Sequence, residues 1–519
     1  MSRIPTGDRQ ALPLYPKPKW PVQPRRLDLL GLPGLRRFVR WRYARLVFQL
    51  PLLLLAVFVV IDGLTGEQLA PRNIATTSLW LHYRGLVIVA LAVVGNAFCG
   101  ACPLMLTRGL TRRLERLLPR KLGWPKGLKN KYLVIGLLLV FFYAYETFDL
   151  WASPWLTAWI VIWYFIAALA VDTLFPAGTF CRFVCPLGNF NFTFATASPT
   201  QIAAVNPDVC SSCVHKPCLH GRESYPDEAQ SQGRAAFIPL SEIIRPNGAG
   251  YFPGCETDLF VPTVTSNMDC TSCMNCVRAC PFDNVALSVR APGLEWSRNP
   301  WAKHGRLPLM LMGIGLTFWG LLNAIAMIGP FYGVAERLSS VLGTRNEALL
   351  LGIIFAGVTL LGLGLTTLMC VLADRLGGAS NGGWHGVRTA IMRWGYVLLP
   401  LGFGFWAAHY LFHFLTGALS IVPVFTHFFQ YWGFAVDPNW RLSRLVPTHL
   451  LFPIGAGFVG LYSLLAGFVA FRIGLRDFGK RGVLAFWPPL LFILLFAAFA
   501  LLVLAQPMQM RGTIFGPTY

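Results

Sequence analysis

Long apolar stretches recur along this chain, and shorter polar segments rich in lysine and arginine separate them. Several stretches reach about 18 residues, the length that a helix needs to cross the hydrocarbon core of a bilayer. The pattern predicts about nine transmembrane helices, at 46–62, 84–100, 132–149, 156–177, 307–330, 348–372, 394–417, 447–471 and 484–505. We therefore expect an all-α polytopic membrane protein.

The segment between the fourth and fifth predicted helices is different. Residues 199–300 contain no apolar stretch of that length and hold eight of the thirteen cysteines. We interpret them as a soluble domain inserted between two membrane domains. The predicted units are a cytoplasmic basic tail (1–45), a four-helix membrane domain (46–198), the inserted domain (199–300) and a five-helix membrane domain (301–519).

Charge distribution orients the chain and narrows the class of protein. Only 13% of residues are charged, whereas soluble domains average roughly 25%. The net charge is +21, but residues 199–300 hold seven basic and ten acidic residues, so the basic excess lies beside the apolar stretches. The positive-inside rule then predicts a cytoplasmic N-terminus and inserted domain and an external C-terminus. No nucleic-acid-binding motif accompanies the charge, so we expect membrane lipid rather than nucleic acid as a partner.

The inserted domain carries the spacing C-x2-C-x2-C-x3-C-P, from Cys270 to Pro281. This is the ligand run of bacterial [4Fe–4S] ferredoxins, in which three thiolates bind one cluster and the fourth reaches a second cluster. Crossed ligation of this kind predicts two [4Fe–4S] sites, one formed by Cys210, Cys213, Cys218 and Cys280, the other by Cys270, Cys273, Cys276 and Cys255. Structural zinc is the alternative, since C-x2-C pairs also serve that metal.

Two further cysteine pairs lie at the predicted cytoplasmic ends of the first two helical hairpins. Cys99 and Cys102 precede Pro103, and Cys181 and Cys185 precede Pro186. Four thiolates on one membrane face suffice for a third iron–sulfur cluster. The alternatives are reduced thiols at helix ends and a redox-active dithiol.

The whole arrangement resembles the NapH/NosR/CcoG group of polytopic membrane polyferredoxins over roughly residues 45–300. The matching motifs are C-G-A-C-P at 99–103, C-R-F-V-C-P-L-G at 181–188 and the run from Cys270 to Pro281. The resemblance implies a protein of the bacterial inner membrane that carries electrons between membrane quinol and a periplasmic reductase, or a reductase that serves copper-enzyme assembly.

Histidines of the C-terminal half supply a further candidate site. His409, His413, His427 and His449 are predicted near the outer membrane surface, where they could bind haem b or copper. Met508 and Met510 form a Met-x-Met pair of the kind that suits Cu(I). The alternative is that these are ordinary interfacial histidines beside ordinary methionines. Glu146, near the outer end of the third predicted helix, is a candidate acceptor of a quinol proton.

Three functions are compatible with these patterns. The first is an electron-transfer protein, the subunit of a quinol-linked oxidoreductase, with a quinone and protein partners. The second is a copper reductase or an assembly factor for a copper-containing respiratory enzyme. The third is a transporter or scaffold whose clusters are structural.

Overall fold

The computed structural model describes residues 27–41, 43–114, 122–223, 251–303, 306–380 and 382–508. Within them the chain is mainly helical, and it is a multi-pass membrane protein. Seven helical segments are long and apolar enough to cross a membrane: Leu46–Thr65, Ile74–Val93, Pro154–Leu174, Leu307–Ile325, Glu347–Gly377, Gly383–Tyr431 and Thr448–Ala505. A shorter apolar helix, Tyr132–Thr147, packs among them.

Turns divide the two longest segments. Gly383–Tyr431 contains the helices Gly383–Trp394, Leu398–Gly417 and Ile421–Tyr431, and Thr448–Ala505 contains Leu451–Phe478 and Gly482–Ala505. Large exposed apolar side chains cover the outer surfaces of these helices, including Leu360, Leu464 and Leu502. Lipid tails suit such a surface because they leave no apolar group in water.

The second membrane helix differs from the prediction in its position. We expected it at 84–100, whereas the helix runs from Ile74 to Val93, and Cys99 lies in a separate short helix, Ala97–Gly100. His82 and Arg84 are polar residues of the kind that usually lie at the end of a span. Both are buried within the helix, which takes a π-helical form from Thr77 to Tyr83.

Two segments predicted as external loops also contain helices. Gly329–Leu342 occupies most of the predicted loop at 331–346, and Ile421–Tyr431 lies in the predicted loop at 418–446. Both helices have strongly one-sided distributions of apolar residues, which is the pattern of a helix packed along a surface.

The segment between the membrane helices is built from short elements. The strand Thr200–Ala204 pairs antiparallel with Val285–Val289, and Arg222–Glu223 pairs with Tyr251–Phe252. The first pair brings together the two ends of the cysteine-rich stretch. Further short helices in the described ranges are Leu35–Arg40, Arg108–Leu114, Pro186–Phe194, Pro207–Ser212, Pro217–His220, Asn275–Ala279, Leu294–Arg298 and Pro300–Lys303.

Part of the predicted N-terminal tail packs against this cysteine-rich segment. Asp28 forms an isolated β-bridge with Ser288, and Leu30 and Val39 join the apolar core around Cys218. Residues 27–41 therefore belong structurally with the cysteine-rich segment, while residues 1–26 lie outside the described chain.

A buried lysine fixes the cysteine-rich segment to the membrane helices. Lys131, which precedes the helix Tyr132–Thr147, donates from Nζ to Asp269 Oδ1 at 2.5 Å and to Asn189 Oδ1 at 2.7 Å. It also donates to the carbonyl oxygen of Arg182 at 2.5 Å. Lys131 and Asp269 are 5% and 2% exposed, so each charge depends on the other for its compensation.

Replacing Lys131 with Met should destabilise the protein. The change leaves the Asp269 carboxylate buried without its main cation, and the loss of one partner of a buried pair costs about 3–5 kcal/mol. Thermal unfolding in detergent should show a clearly lower midpoint for Lys131→Met. The matched control is Lys129→Met, since Lys129 is exposed; equal midpoints for the two variants would contradict the role of Lys131.

Candidate functional site

The structure brings twelve of the thirteen cysteines together in three groups of four. Side chains within each group lie close enough to interact electrostatically, and Cys276 and Cys218 interact across two of the groups. We call Cys99, Cys102, Cys181 and Cys185 the edge group. The other two groups lie in the cysteine-rich segment. The first module group is Cys210, Cys213, Cys218 and Cys280, and the second module group is Cys255, Cys270, Cys273 and Cys276. What these groups bind stays a prediction. Cys370 is buried in the helix Glu347–Gly377, apart from them.

Left-handed backbone conformations shape the loops that carry the module cysteines. Among the described residues, eight non-glycine residues have positive φ, and six of them lie between residues 216 and 283. In the second module group, Asp269, Ser272 and Met274 have this conformation, and in the sequence they flank Cys270 and Cys273. Such turns direct successive backbone N–H groups toward one centre, which favours an anionic ligand. The strain is a local cost that functional sites commonly carry.

Hydrogen bonds to sulfur hold the first module group in place. Asn284 donates from its backbone nitrogen to Cys280 Sγ at 3.4 Å and from Nδ2 to Cys210 Sγ at 3.1 Å. The two cysteines are 70 positions apart in the sequence, so one side chain connects both ends of the group. In the second module group the backbone nitrogen of Leu259 donates to Cys255 Sγ at 3.2 Å.

The edge group has a comparable set of donors. Cys185 caps the helix Pro186–Phe194, and its Sγ accepts from the backbone nitrogen of Gly188 at 3.1 Å. Asn191 of the same helix donates from Nδ2 to Cys99 Sγ at 3.7 Å. The helix thus contacts sulfur atoms of both Cys-Pro motifs. N–H donors of this kind stabilise negative charge on sulfur, which is how proteins tune metal–thiolate centres.

Burial strongly affects the acidity of these thiols. It raises the pKa of Cys270, Cys218 and Cys185 to about 12, and the pKa of Cys102 and Cys273 to about 11. As free thiols they would therefore be protonated at neutral pH. Binding of a metal must displace those protons, so it becomes more favourable as the pH rises.

The spacing of the groups bears on the kind of metal centre. Among the described residues, no three His, Cys, Asp or Glu side chains are arranged to hold one metal ion. A zinc ion needs its sulfur ligands about 2.3 Å from a single centre. An iron–sulfur cluster places its thiolates on different iron atoms, so its sulfur ligands lie farther apart. Which of these centres the groups bind stays a prediction.

Buried ion pairs lie between the edge group and the second module group. Glu256, next to Cys255, binds Arg45 and also lies 3.2 Å from Nη1 of Arg108. Although burial opposes its ionisation, these guanidinium groups lower the pKa of Glu256 to about 2. Nε of Arg108 also lies 3.5 Å from Oδ2 of Asp172. The other carboxylate oxygen of Asp172 accepts a hydrogen bond from the backbone nitrogen of Phe180, the residue before Cys181, at 3.3 Å.

A cavity of about 540 Å³ opens beside these cysteines. Its apolar walls come from Leu46–Thr65, Ile74–Val93 and Pro154–Leu174, and its volume is that of a typical small-molecule site. Cys102 of the edge group and Cys273 of the second module group both line it. The remaining polar lining residues include Arg45, Arg278, Ser78, His82 and Tyr164. The Ser78 hydroxyl has no hydrogen-bond partner in the described part of the chain.

The four candidate histidines are distributed over different surroundings. His409 and His413 lie together on one helix, with ring centroids 4.9 Å apart. His427 instead bonds from Nε2 to Glu67 Oε2 at 2.7 Å, and His449 is exposed in the turn before Leu451. Met508 packs against the apolar core, and Met510 lies outside the described residues.

His409 itself is in an unusual environment. It is fully buried, and neither ring nitrogen has a hydrogen-bond partner in the described ranges. Its charged neighbour is Arg84, which also interacts electrostatically with His413. A cation in this position opposes the binding of a metal ion.

Glu146 is buried inside the helical bundle. Its Oε1 accepts from Asn323 Nδ2 at 2.7 Å, and it does not line the cavity described above.

Sequence reasoning missed the charged residues around the cysteines, including Arg45, Glu256 and Lys131. In the sequence, Arg45 and Lys131 are only two of the many basic residues beside the apolar stretches. The position of Glu256 directly after Cys255 was the one sign that a charged residue lies at the site.

Comparison with protein-family models, curated proteins and solved structures finds no match to this chain. The site is therefore interpreted from its own residues.

Close packing of the edge group on the second module group depends on Gly100. A Cβ at this position would lie 3.0 Å from the carbonyl oxygens of both Thr271 and Ser272. Because these are backbone atoms, Gly100→Ala should separate the two loops and cost about 1–3 kcal/mol, visible as a lower thermal-unfolding midpoint. Gly136→Ala is the control, since a Cβ there meets nothing within 4 Å. A midpoint for Gly100→Ala at or above that of the control would contradict the close approach.

Proposed function

We propose that this chain is a membrane-bound iron–sulfur protein that transfers electrons between a membrane quinone and a redox partner protein. Two [4Fe–4S] clusters would be held by the first and second module groups, and a third cluster by the edge group. The observation that carries the proposal is the convergence of twelve cysteines into three groups of four. When bound, each cluster would accept and release one electron at a time.

The charged side chains beside the edge group and the second module group support clusters rather than free thiols. Cations beside the edge group and the second module group include Arg45, Arg108, Lys131 and Arg278. A cluster bound by four thiolates carries net negative charge, which neighbouring cations stabilise.

The cavity supports a quinone as the small electron carrier. Membrane helices form its apolar walls, so a ligand with an isoprenoid tail could enter from the lipid phase. A quinone ring at the inner end would lie next to Cys102 and Cys273.

The proposal includes a topology of nine membrane crossings. The basic residues beside the spans favour a cytoplasmic position for residues 27–41 and the cysteine-rich segment, with the C-terminus outside. The bacterial inner membrane is the compartment that suits a quinone-linked protein of this kind. The copper-reductase, haem and scaffold alternatives gain no specific support from the described residues.

Anaerobic purification with iron and sulfide quantitation tests the cofactor content. We expect about twelve iron atoms per chain, as three cubane clusters require. The double variant Cys181→Ser/Cys185→Ser should retain about eight, because only the edge group loses ligands. Zinc in place of iron in the anaerobic wild-type protein would refute the proposal, and eight iron atoms in the wild type would refute the third cluster.

Filling the cavity tests the role of the quinone. Ala90 lines the cavity, and Ala90→Phe should reduce its free volume enough to slow cluster reduction by a soluble quinol analogue at least tenfold. Reduction by dithionite, which needs no quinone site, should keep its rate. Val89→Phe is the control because Val89 is exposed on the same helix and does not line the cavity. Equal quinol rates for both variants would exclude the cavity as the entry site.

A further inference from the structure

One arginine contacts both of the cysteine groups that line the cavity. Arg45 donates from Nε to the carbonyl oxygen of Gly100 at 2.7 Å, within the loop between Cys99 and Cys102. Its Nη1 and Nη2 both bind the carboxylate of Glu256, the residue after Cys255, with Nη2 at 3.2 Å. The guanidinium group therefore joins the edge group to the second module group.

The electrostatic surroundings of Arg45 match these contacts. Its side chain is 9% exposed, so solvent screens its charge weakly. Besides Glu256, its electrostatic neighbours include the side chains of Cys273 and Cys102. Cys273 belongs to the second module group and Cys102 to the edge group.

Charge placed this way has a defined effect on a redox centre. Reduction adds one negative charge to a cluster, so a nearby cation stabilises the reduced form and raises the reduction potential, and a nearby anion lowers it. Glu256 moderates the charge of Arg45, and Arg108 is a second cation on the same carboxylate.

We propose that Arg45 and Glu256 act as a tuning pair that sets the reduction potentials of the edge cluster and the second module cluster together. Because both clusters respond to the same guanidinium, its charge shifts their potentials in the same direction. Among the described residues, Arg45 makes no hydrogen bond or ion pair with the first module group. The inference rests on the proposed iron–sulfur function and adds positioning residues to it.

The shared charge has a consequence at the cavity. Arg45 lines its inner end together with Cys102 and Cys273. Its charge would therefore change the driving force for electron exchange between a ligand bound there and either cluster in the same direction.

Redox-titrated EPR of the purified full-length protein tests the pair. In Arg45→Gln the edge and second module clusters should both shift to lower potential, with at least a threefold change in their reduced-to-oxidised ratio at a fixed potential; tenfold corresponds to 59 mV for one electron. Arg45→Lys keeps the charge and should recover part of the shift. Glu256→Gln removes the anion and should shift the same two clusters in the opposite direction.

The first module cluster is the internal control in every titration. Its potential should stay unchanged in all three variants. A shift of all three clusters together, or no shift in any, would overturn the inference. If Arg45→Gln loses iron, the opposite shift in Glu256→Gln decides the question. Absence of cluster signals from the anaerobic wild type would instead refute the proposed function, so the two failures are distinguishable.

Discussion

Buried ion pairs hold the cysteine-rich segment against the membrane helices, and the geometry of two cysteine groups depends on them. Lys131 with Asp269, and Glu256 with Arg45 and Arg108, connect the loops next to Cys270 and Cys255 to residues that begin or follow membrane helices. Such pairs are expensive to bury, and hydrophobic residues of similar size would often be as stable. Their presence is better explained by what they position, since each lies within a few residues of a thiol.

Two contacts besides the ion pairs also join the edge group to the second module group. Gly100 permits the loop of the edge group to lie directly on the backbone of Thr271 and Ser272. Asn96 donates to the carbonyl oxygen of Cys270 at 3.2 Å, which adds a hydrogen bond across the same junction. The membrane helices and the cysteine-rich segment therefore form one continuous site rather than an anchor and a separate carrier.

Apolar stretches in the sequence were sufficient to predict the helical membrane class, because each predicted span overlaps an apolar helix. Boundaries failed where a polar residue is buried. His82 and Arg84 suggested a span beginning near residue 84, yet Arg84 donates to the Tyr145 hydroxyl at 3.0 Å and lies over aromatic rings, so it is satisfied inside the bundle. The cysteine spacing suggested the groups of four, but spacing carries no information about Arg45 or Lys131, whose partners are far away in sequence. The histidine prediction also missed that His427 bonds to Glu67, because the hydropathy pattern identifies Glu67 only as a loop residue.

The pairing of the N-terminal segment with the far end of the cysteine-rich segment constrains the order in which the protein can be made. Asp28 Oδ1 accepts from the backbone nitrogen of Leu287 at 3.0 Å, a contact between residues 259 positions apart. During synthesis the N-terminal segment emerges first, and four apolar helices must enter the membrane before its partner strand exists. At a translation rate of about 5–20 residues per second, the segment waits on the order of ten seconds or more. Its closure over the core around Cys218 therefore comes after the thiols have been made, which leaves a period in which a ligand can still reach them.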